Sequence, residues 1–234
     1  MESLQDITKK YSILTESRGN RLDSGTDKLV VHNYPVAYDD IFSKVRETAT
    51  NVVEIGVAGG WSLKVWEEYF PKANIHGIDI DKTFFHPHIA DSDRIDMKFY
   101  DATDESKIHA NFSDESVDIV IDDGSHLLNH QIVSAALFWP KLKEGGIYVI
   151  EDTQNLRYDK YFTMYPNYKT YDCCSAHYRS KGDVSLGEGM WKNHVSWNST
   201  LYAFKKENWD KSSLKRLLDP KLYSRTFAPD PGGK

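Results

Sequence analysis

The chain has 234 residues, 40% hydrophobic and 27% charged, a balance that excludes a disordered polypeptide and suits one α/β domain with a sizeable core. The formal net charge is -6 and Lys and Arg form no dense patch, which argues against a nucleic-acid partner. No apolar run approaches the ~20 residues needed to span a bilayer, the opening MESLQDITKKYS has neither signal nor transit-peptide character, and the two cysteines, Cys173 and Cys174, are adjacent and read as reduced thiols, so cytoplasmic residence is expected.

No internal repeat or linker divides the chain, so residues 1–234 read as one domain. A polar lead-in (1–23) precedes a core (24–155). Pro35, favoured in a first helical turn, opens a segment with Tyr38, Ile41, Phe42 and Val45 at helical spacing. Val52 to Ile55, closed by Gly56, reads as a buried strand. A helix from Ser62 to Phe70 follows and is stopped by Pro71. Ile75 to Ile80, Met97 to Tyr100 and Val117 to Ile121 are the next strands. A helix through Ile132, Ala135, Ala136 and Trp139 then leads to a Gly145-Gly146 turn into Ile147 to Ile150. Residues 156–193 read as an acceptor-binding insertion, Val195 to Lys205 as an added strand able to run antiparallel, and 227–234 as a disordered tail. Alternating strands and helices predict a Rossmann-like α/β fold with a mostly parallel, seven-stranded sheet covered on both faces.

At the first strand-to-helix turn the chain reads Glu54-Ile55-Gly56-Val57-Ala58-Gly59-Gly60. A dinucleotide fingerprint would be G-x-G-x-x-G; an acidic residue in place of its first glycine suits a donor without a pyrophosphate, namely S-adenosylmethionine (SAM). Asp79 ends the second strand, where a carboxylate can accept ribose hydroxyls, and Asp101 follows the third, near the adenine. The expected cofactor-binding residues are Glu54, Gly56, Gly60, Ser62, Asp79, Asp101 and Asp122.

Asp122-Asp123-Gly124-Ser125-His126 follows the fourth strand, and Glu151-Asp152-Thr153-Gln154 the fifth. In a doubly wound sheet both ends open on one crevice, so Asp123, Glu151 and Asp152 converge there. Close carboxylates repel unless a cation sits among them, and an all-oxygen set selects a hard ion, magnesium first. His126 is the expected general base, acting with Asp123 on a hydroxyl already acidified by the metal. His130, one turn on, reads as structural. Capping of the following helices by Asp122 or Asp152 is an alternative that covers one residue of each segment.

Gly25-Thr26-Asp27-Lys28, His32-Asn33-Tyr34, VEIGVAGG, GIDI, IDDGSH and IEDTQ occur in the order found in the metal-dependent sugar O-methyltransferases of macrolide biosynthesis and the rhamnosyl O-methyltransferases of tetracenomycin-like pathways. The chain resembles that family over about residues 24 to 155. The resemblance implies magnesium on Asp123, Glu151 and Asp152, His126 as base, and a place over the cofactor for Thr26, Asp27 and Lys28. It implies methyl transfer from SAM to a hydroxyl of a deoxyhexose such as rhamnose, in a glycan, a glycolipid or a glycosylated natural product. A catechol-like acceptor, or non-catalytic SAM binding, stays open at this point. Homo-oligomer formation is compatible with the sequence.

Overall fold

The apolar runs read from the sequence form the middle of the sheet in the computed structural model, which describes residues 2–12, 25–29, 32, 34–153, 168–172 and 200–207. The elements are α1 (Leu4–Tyr11), α2 (Tyr34–Phe42), β1 (Asn51–Ile55), α3 (Trp61–Tyr69), β2 (Asn74–Asp79), β3 (Ile95–Phe99), α4 (Glu105–Asn111), β4 (Val117–Asp122), α5 (Leu128–Phe138), β5 (Leu142–Ile150), β6 (Tyr168–Asp172) and β7 (Thr200–Lys205). The sheet has seven strands in the order β3-β2-β1-β4-β5-β7-β6. β1 to β5 pair in parallel, and β7 is antiparallel to both β5 and β6. The expected mostly parallel seven-stranded sheet is therefore found, including an antiparallel strand at Thr200–Lys205; the tail at 227–234 and most of 156–193 lie outside the described residues.

Residues alternate between the two faces, as a period of two requires. Val52, Ile119, Ile147 and Val149 join the layer formed by α1, α2 and α3, where Tyr38, Phe42, Trp66 and Phe70 pack edge to face and stacked. Val53, Val120, Tyr148 and Ile150 join the layer of α4 and α5, with Phe112, Phe138 and Trp139. Buried on both sides, the strands carry β-branched residues at successive positions, and this is why they were legible.

Three features differ from the expectation. The lead-in is helical: Ser3 caps α1 by accepting from the Asp6 amide at 3.1 Å, and Leu4 and Ile7 are buried against the layer of α3. α4, too short for a clear apolar period, is set by Asp104, which accepts from the amides of Ser106 and Lys107. Gly145-Gly146 lies inside β5 rather than before it. Val117 pairs with Leu142 but Ile119 with Ile147, so the intervening residues of β5 bulge, and Lys206 bridges the bulge through Gly145 N–H and Gly146 C=O. In addition, β6 lies within the segment read as an insertion.

Candidate active site

The parallel register sets the strand ends side by side: Ile55 is level with Asp122 and Asp122 with Ile150, so Gly56, Asp123 and Glu151 emerge as neighbours. The Asp123 amide donates to Ile55 C=O at 2.8 Å and the Glu151 amide to Asp122 C=O at 2.9 Å, extending the ladder into the turns. Gly56 has φ +78°, and a Cβ there would lie 2.1 Å from the Asp123 carbonyl oxygen. Both demands call for glycine. Asp79 closes the loop from the other side, one carboxylate oxygen accepting from Val57 N–H at 2.9 Å and Ala58 N–H at 3.0 Å. The crevice so formed holds a cavity of about 450 Å³.

Behind its wall lies Glu54, wholly buried, with Oε2 accepting from Ser62 Oγ at 2.6 Å. Burial raises its pKa, against the opposing pull of Lys28. Lys28 is itself buried, its ammonium 2.8 Å from Asp123 Oδ2, 2.6 Å from Glu151 Oε1 and 3.3 Å from Glu54 Oε1. Burial works against that charge, but Asp123, Glu151 and Glu54 outweigh it and hold the amine protonated well above its ordinary range. Burial, reinforced by Asp123 and opposed by Lys28, drives the Glu151 carboxyl well above its usual value. Asp152 is raised by burial too, with His32 and then Tyr34 and His126 pulling the other way.

Two tyrosines of α2 reach this cluster. The Tyr38 hydroxyl donates to Glu151 and the Tyr34 hydroxyl to Asp152. His32 stacks on Tyr34 with ring centroids 4.8 Å apart and stands 3.8 Å from Asp152. His126 Nε2 lies 3.8 Å from Asp152 Oδ2, while its Nδ1 is buried without a hydrogen bond. His126 (φ +56°), Asp152 (φ +52°) and Ala58 (φ +46°) are left-handed without being glycine, and all three line the cavity. Such conformations cost of order 1–3 kcal/mol each and gather where a side chain must be aimed.

The cavity brings Gly56, Asp79, Asp101, Asp123, Glu151 and Asp152 together, with Thr26, Lys28, Ser62, Asp122 and His126 also on its wall. Gly60 (φ +87°) precedes α3 beside Phe85. Glu54 stands behind the wall, reached through Ser62 and Lys28. The three expected metal ligands divide over two clusters that share Asp123: one of Asp123, His126 and Asp152, the other of Glu54, Asp123 and Glu151. Lys28 lies within the second. Thr26 shapes the turn before Lys28, donating its amide to Tyr11 C=O at 2.7 Å, and Asp27 faces His32 at 3.9 Å. Asp101 accepts from Thr103 N–H at 2.8 Å at the mouth. His130 hydrogen-bonds Ser125 at 2.8 Å. Asp122 does not cap the following helix, because α5 starts only at Leu128 and its N-cap is Leu127.

Asp122 is packed under the turn, accepting from Tyr148 OH at 2.9 Å and Gly124 N–H at 3.3 Å, and burial raises its pKa from 3.8 to about 6. Because the folded value lies above the unfolded one, its contribution to stability is present at low pH and is lost as pH rises through about 6. Asp122→Asn is therefore expected to match the wild type near pH 4 and to gain on it by on the order of 2–3 kcal/mol by pH 7, measured as urea midpoints across that range.

The family described as a methyltransferase domain matches residues 53–153, from β1 to the turn after β5. The chain contains a methyltransferase domain. Its strand order and its antiparallel β7 are those of the class I SAM-dependent methyltransferase fold. The chain is 35% identical over 210 residues to the 8-demethyl-8-(2-methoxy-alpha-L-rhamnosyl)-tetracenomycin-C 3'-O-methyltransferase of Streptomyces olivaceus, a match covering 86% of this chain and 43% of that protein. It is 37% identical over 145 residues to the 8-demethyl-8-alpha-L-rhamnosyl tetracenomycin-C 2'-O-methyltransferase of the same organism, covering 58% of this chain and 37% of that one. Among solved structures it is similar to the MycE methyltransferase of the mycinamycin biosynthetic pathway, in complex with Mg, SAH and mycinamycin VI, with a TM-score of 0.55, 26% identity, and coverage of 90% of this chain and 56% of that one. The chain thus spans less than half the length of these curated relatives. Lys28, Tyr34 and Tyr38, which serve the acidic cluster, lie before the matched methyltransferase domain.

The sequence reading missed the two tyrosines. Their spacing of four was visible, but a buried aromatic stripe and a hydroxyl aimed at a carboxylate look alike in sequence.

Proposed function

We propose that this chain transfers a methyl group from SAM to a sugar hydroxyl with the help of a divalent cation, magnesium by preference. The observation that carries this reading is the gathering of Asp123, Glu151 and Asp152, from two adjacent strand ends, around one cavity beneath the glycine turn. The fit to a nucleoside donor is supported by the Gly56 turn, where no Cβ fits and which lines the cavity beside Asp79. The fit to a hard cation is supported by the oxygen-only carboxylate set, in which burial and the neighbouring Asp123 push Glu151 and Asp152 towards protonation. The relatives act on rhamnosyl groups by name, and this supports a glycosylated natural product as the acceptor.

In this scheme Asp123, Glu151 and Asp152 hold the cation, which when bound supplies Lewis acidity towards the acceptor hydroxyls. Glu54 and the Gly56 turn receive the donor, which supplies the electrophilic methyl. Asp79 braces the turn. His126 takes the hydroxyl proton at Nε2, and Asp152 at 3.8 Å stabilises the resulting imidazolium. Most of the rate advantage then comes from alignment and from charge placed in advance.

Incubation with SAM and an acceptor panel, rhamnosides against catechols, with excess EDTA and then added magnesium, tests the scheme. Methylation of the rhamnoside should stop with EDTA and return with magnesium. Turnover that persists in EDTA would remove the metal, and methylation of catechols alone would remove the sugar.

A further inference from the structure

The carboxylates in the cluster are not held symmetrically. Lys28 Nζ donates to Asp123 Oδ2 and Glu151 Oε1, the Tyr38 hydroxyl donates to that same Glu151 oxygen, and the Tyr34 hydroxyl donates to Asp152 Oδ1. The opposite oxygens of Asp123 and Glu151 accept no hydrogen bond among the described residues, and Asp152 Oδ2 faces His126 Nε2 at 3.8 Å. We propose that Lys28, Tyr34 and Tyr38 are positioning residues that engage one oxygen each of Asp123, Glu151 and Asp152 and so reserve the other for a divalent cation. This rests on the reading above that these three carboxylates hold a metal.

The geometry follows from helix and strand periods. Residues four apart on α2 share one face, so Tyr34 and Tyr38 present their hydroxyls side by side. Glu151 and Asp152 are adjacent in sequence and would diverge if extended; the left-handed backbone at Asp152 (φ +52°) breaks that alternation, and each carboxylate meets one phenol. Phenylalanine would fill the same aromatic layer. A wholly buried hydroxyl is costly without a partner, and here both partners are the proposed ligands. A phenol fits this role because it is rigid and has a single proton to give. A phenol is protonated at neutral pH, so each hydroxyl donates to its carboxylate. Lys28 contributes the charge that lets Asp123 and Glu151 sit together before any ion arrives. Groups of this kind, one bond removed from a metal, typically change its affinity about 10–100-fold when lost.

The test is manganese binding, followed by the EPR signal of free Mn²⁺, for the full chain and its Tyr34→Phe, Tyr38→Phe and Lys28→Met variants. Binding of S-adenosylhomocysteine is measured in parallel by calorimetry. Each tyrosine variant should weaken Mn²⁺ binding about 10-fold or more while S-adenosylhomocysteine affinity stays within about twofold. Unchanged Mn²⁺ affinity in both tyrosine variants overturns the proposal. So does a loss of nucleoside affinity in step with the metal, because that is general damage. Should Lys28→Met fail to fold, the two tyrosine variants, which each lose one oxygen atom, still decide. A wild-type chain that binds no Mn²⁺ overturns the metal reading itself.

Discussion

Asp123→Ala should lower methyl transfer by about a thousandfold, the upper range for removing one group that stabilises developing charge, while SAM affinity changes by no more than a few-fold. Asp123 belongs to both acidic clusters, so its loss breaks the cation site from two sides. Lys28 keeps Glu54 and Glu151 as partners, at 3.3 Å and 2.6 Å, and its charge is not orphaned. The fold should therefore survive, with a thermal midpoint within a few degrees of the wild type. Radiolabel transfer gives the first quantity and calorimetry with SAM the second. Loss of SAM binding with metal binding kept would reverse the assignment and put Asp123 on the donor side.

Gly56→Ala should be the most damaging single-methyl change in the turn. The added carbon would sit 2.1 Å from the Asp123 carbonyl oxygen and 2.6 Å from Gly124 Cα, both of them main-chain atoms. No rotamer relieves a clash of backbone on Cβ, and φ +78° adds strain of its own. Either β1 and β4 separate at their ends or the turn flips. The cost should reach about 3 kcal/mol or more, near the top of the range for point changes, seen as a fall of roughly 10 °C in the melting midpoint for a domain of this size. SAM binding should be lost in the same variant. By contrast, an alanine at Gly145 meets nothing within 4 Å and carries only the penalty of its positive φ.

What the sequence made legible divides along physical lines. Val52 to Ile55 and Val117 to Ile121 are buried on both faces, and such strands write themselves as apolar runs, while Ile75 to Asp79 shows itself by Ile75 and Ile78 on opposite faces. Their parallel order then places Gly56, Asp79, Asp123 and Glu151 at one edge, so the crevice could be read before any coordinate. Local rules failed where long-range contacts decide. α1 has two buried aliphatic residues, Leu4 and Ile7, and packs because α2 and α3 are there to receive it. Gly145-Gly146 reads as a turn, yet Lys206 binds both glycines and draws them into the sheet. The Lys28 ammonium is 95 and 123 residues in sequence from the carboxylates it meets, a separation no periodicity reports.

The reach of Lys28 also bears on where this protein can be cut. A fragment bounded by the recognisable domain, residues 53–153, would retain Glu54, Asp123 and Glu151 but forfeit their ammonium, both phenols and the β7 strand beside β5. Stripping one partner from a buried ionic group costs about 3–5 kcal/mol, a large share of what holds an ordinary domain together. The smallest autonomous unit is accordingly wider than the stretch that sequence kinship outlines, and its boundary is drawn by a counter-ion.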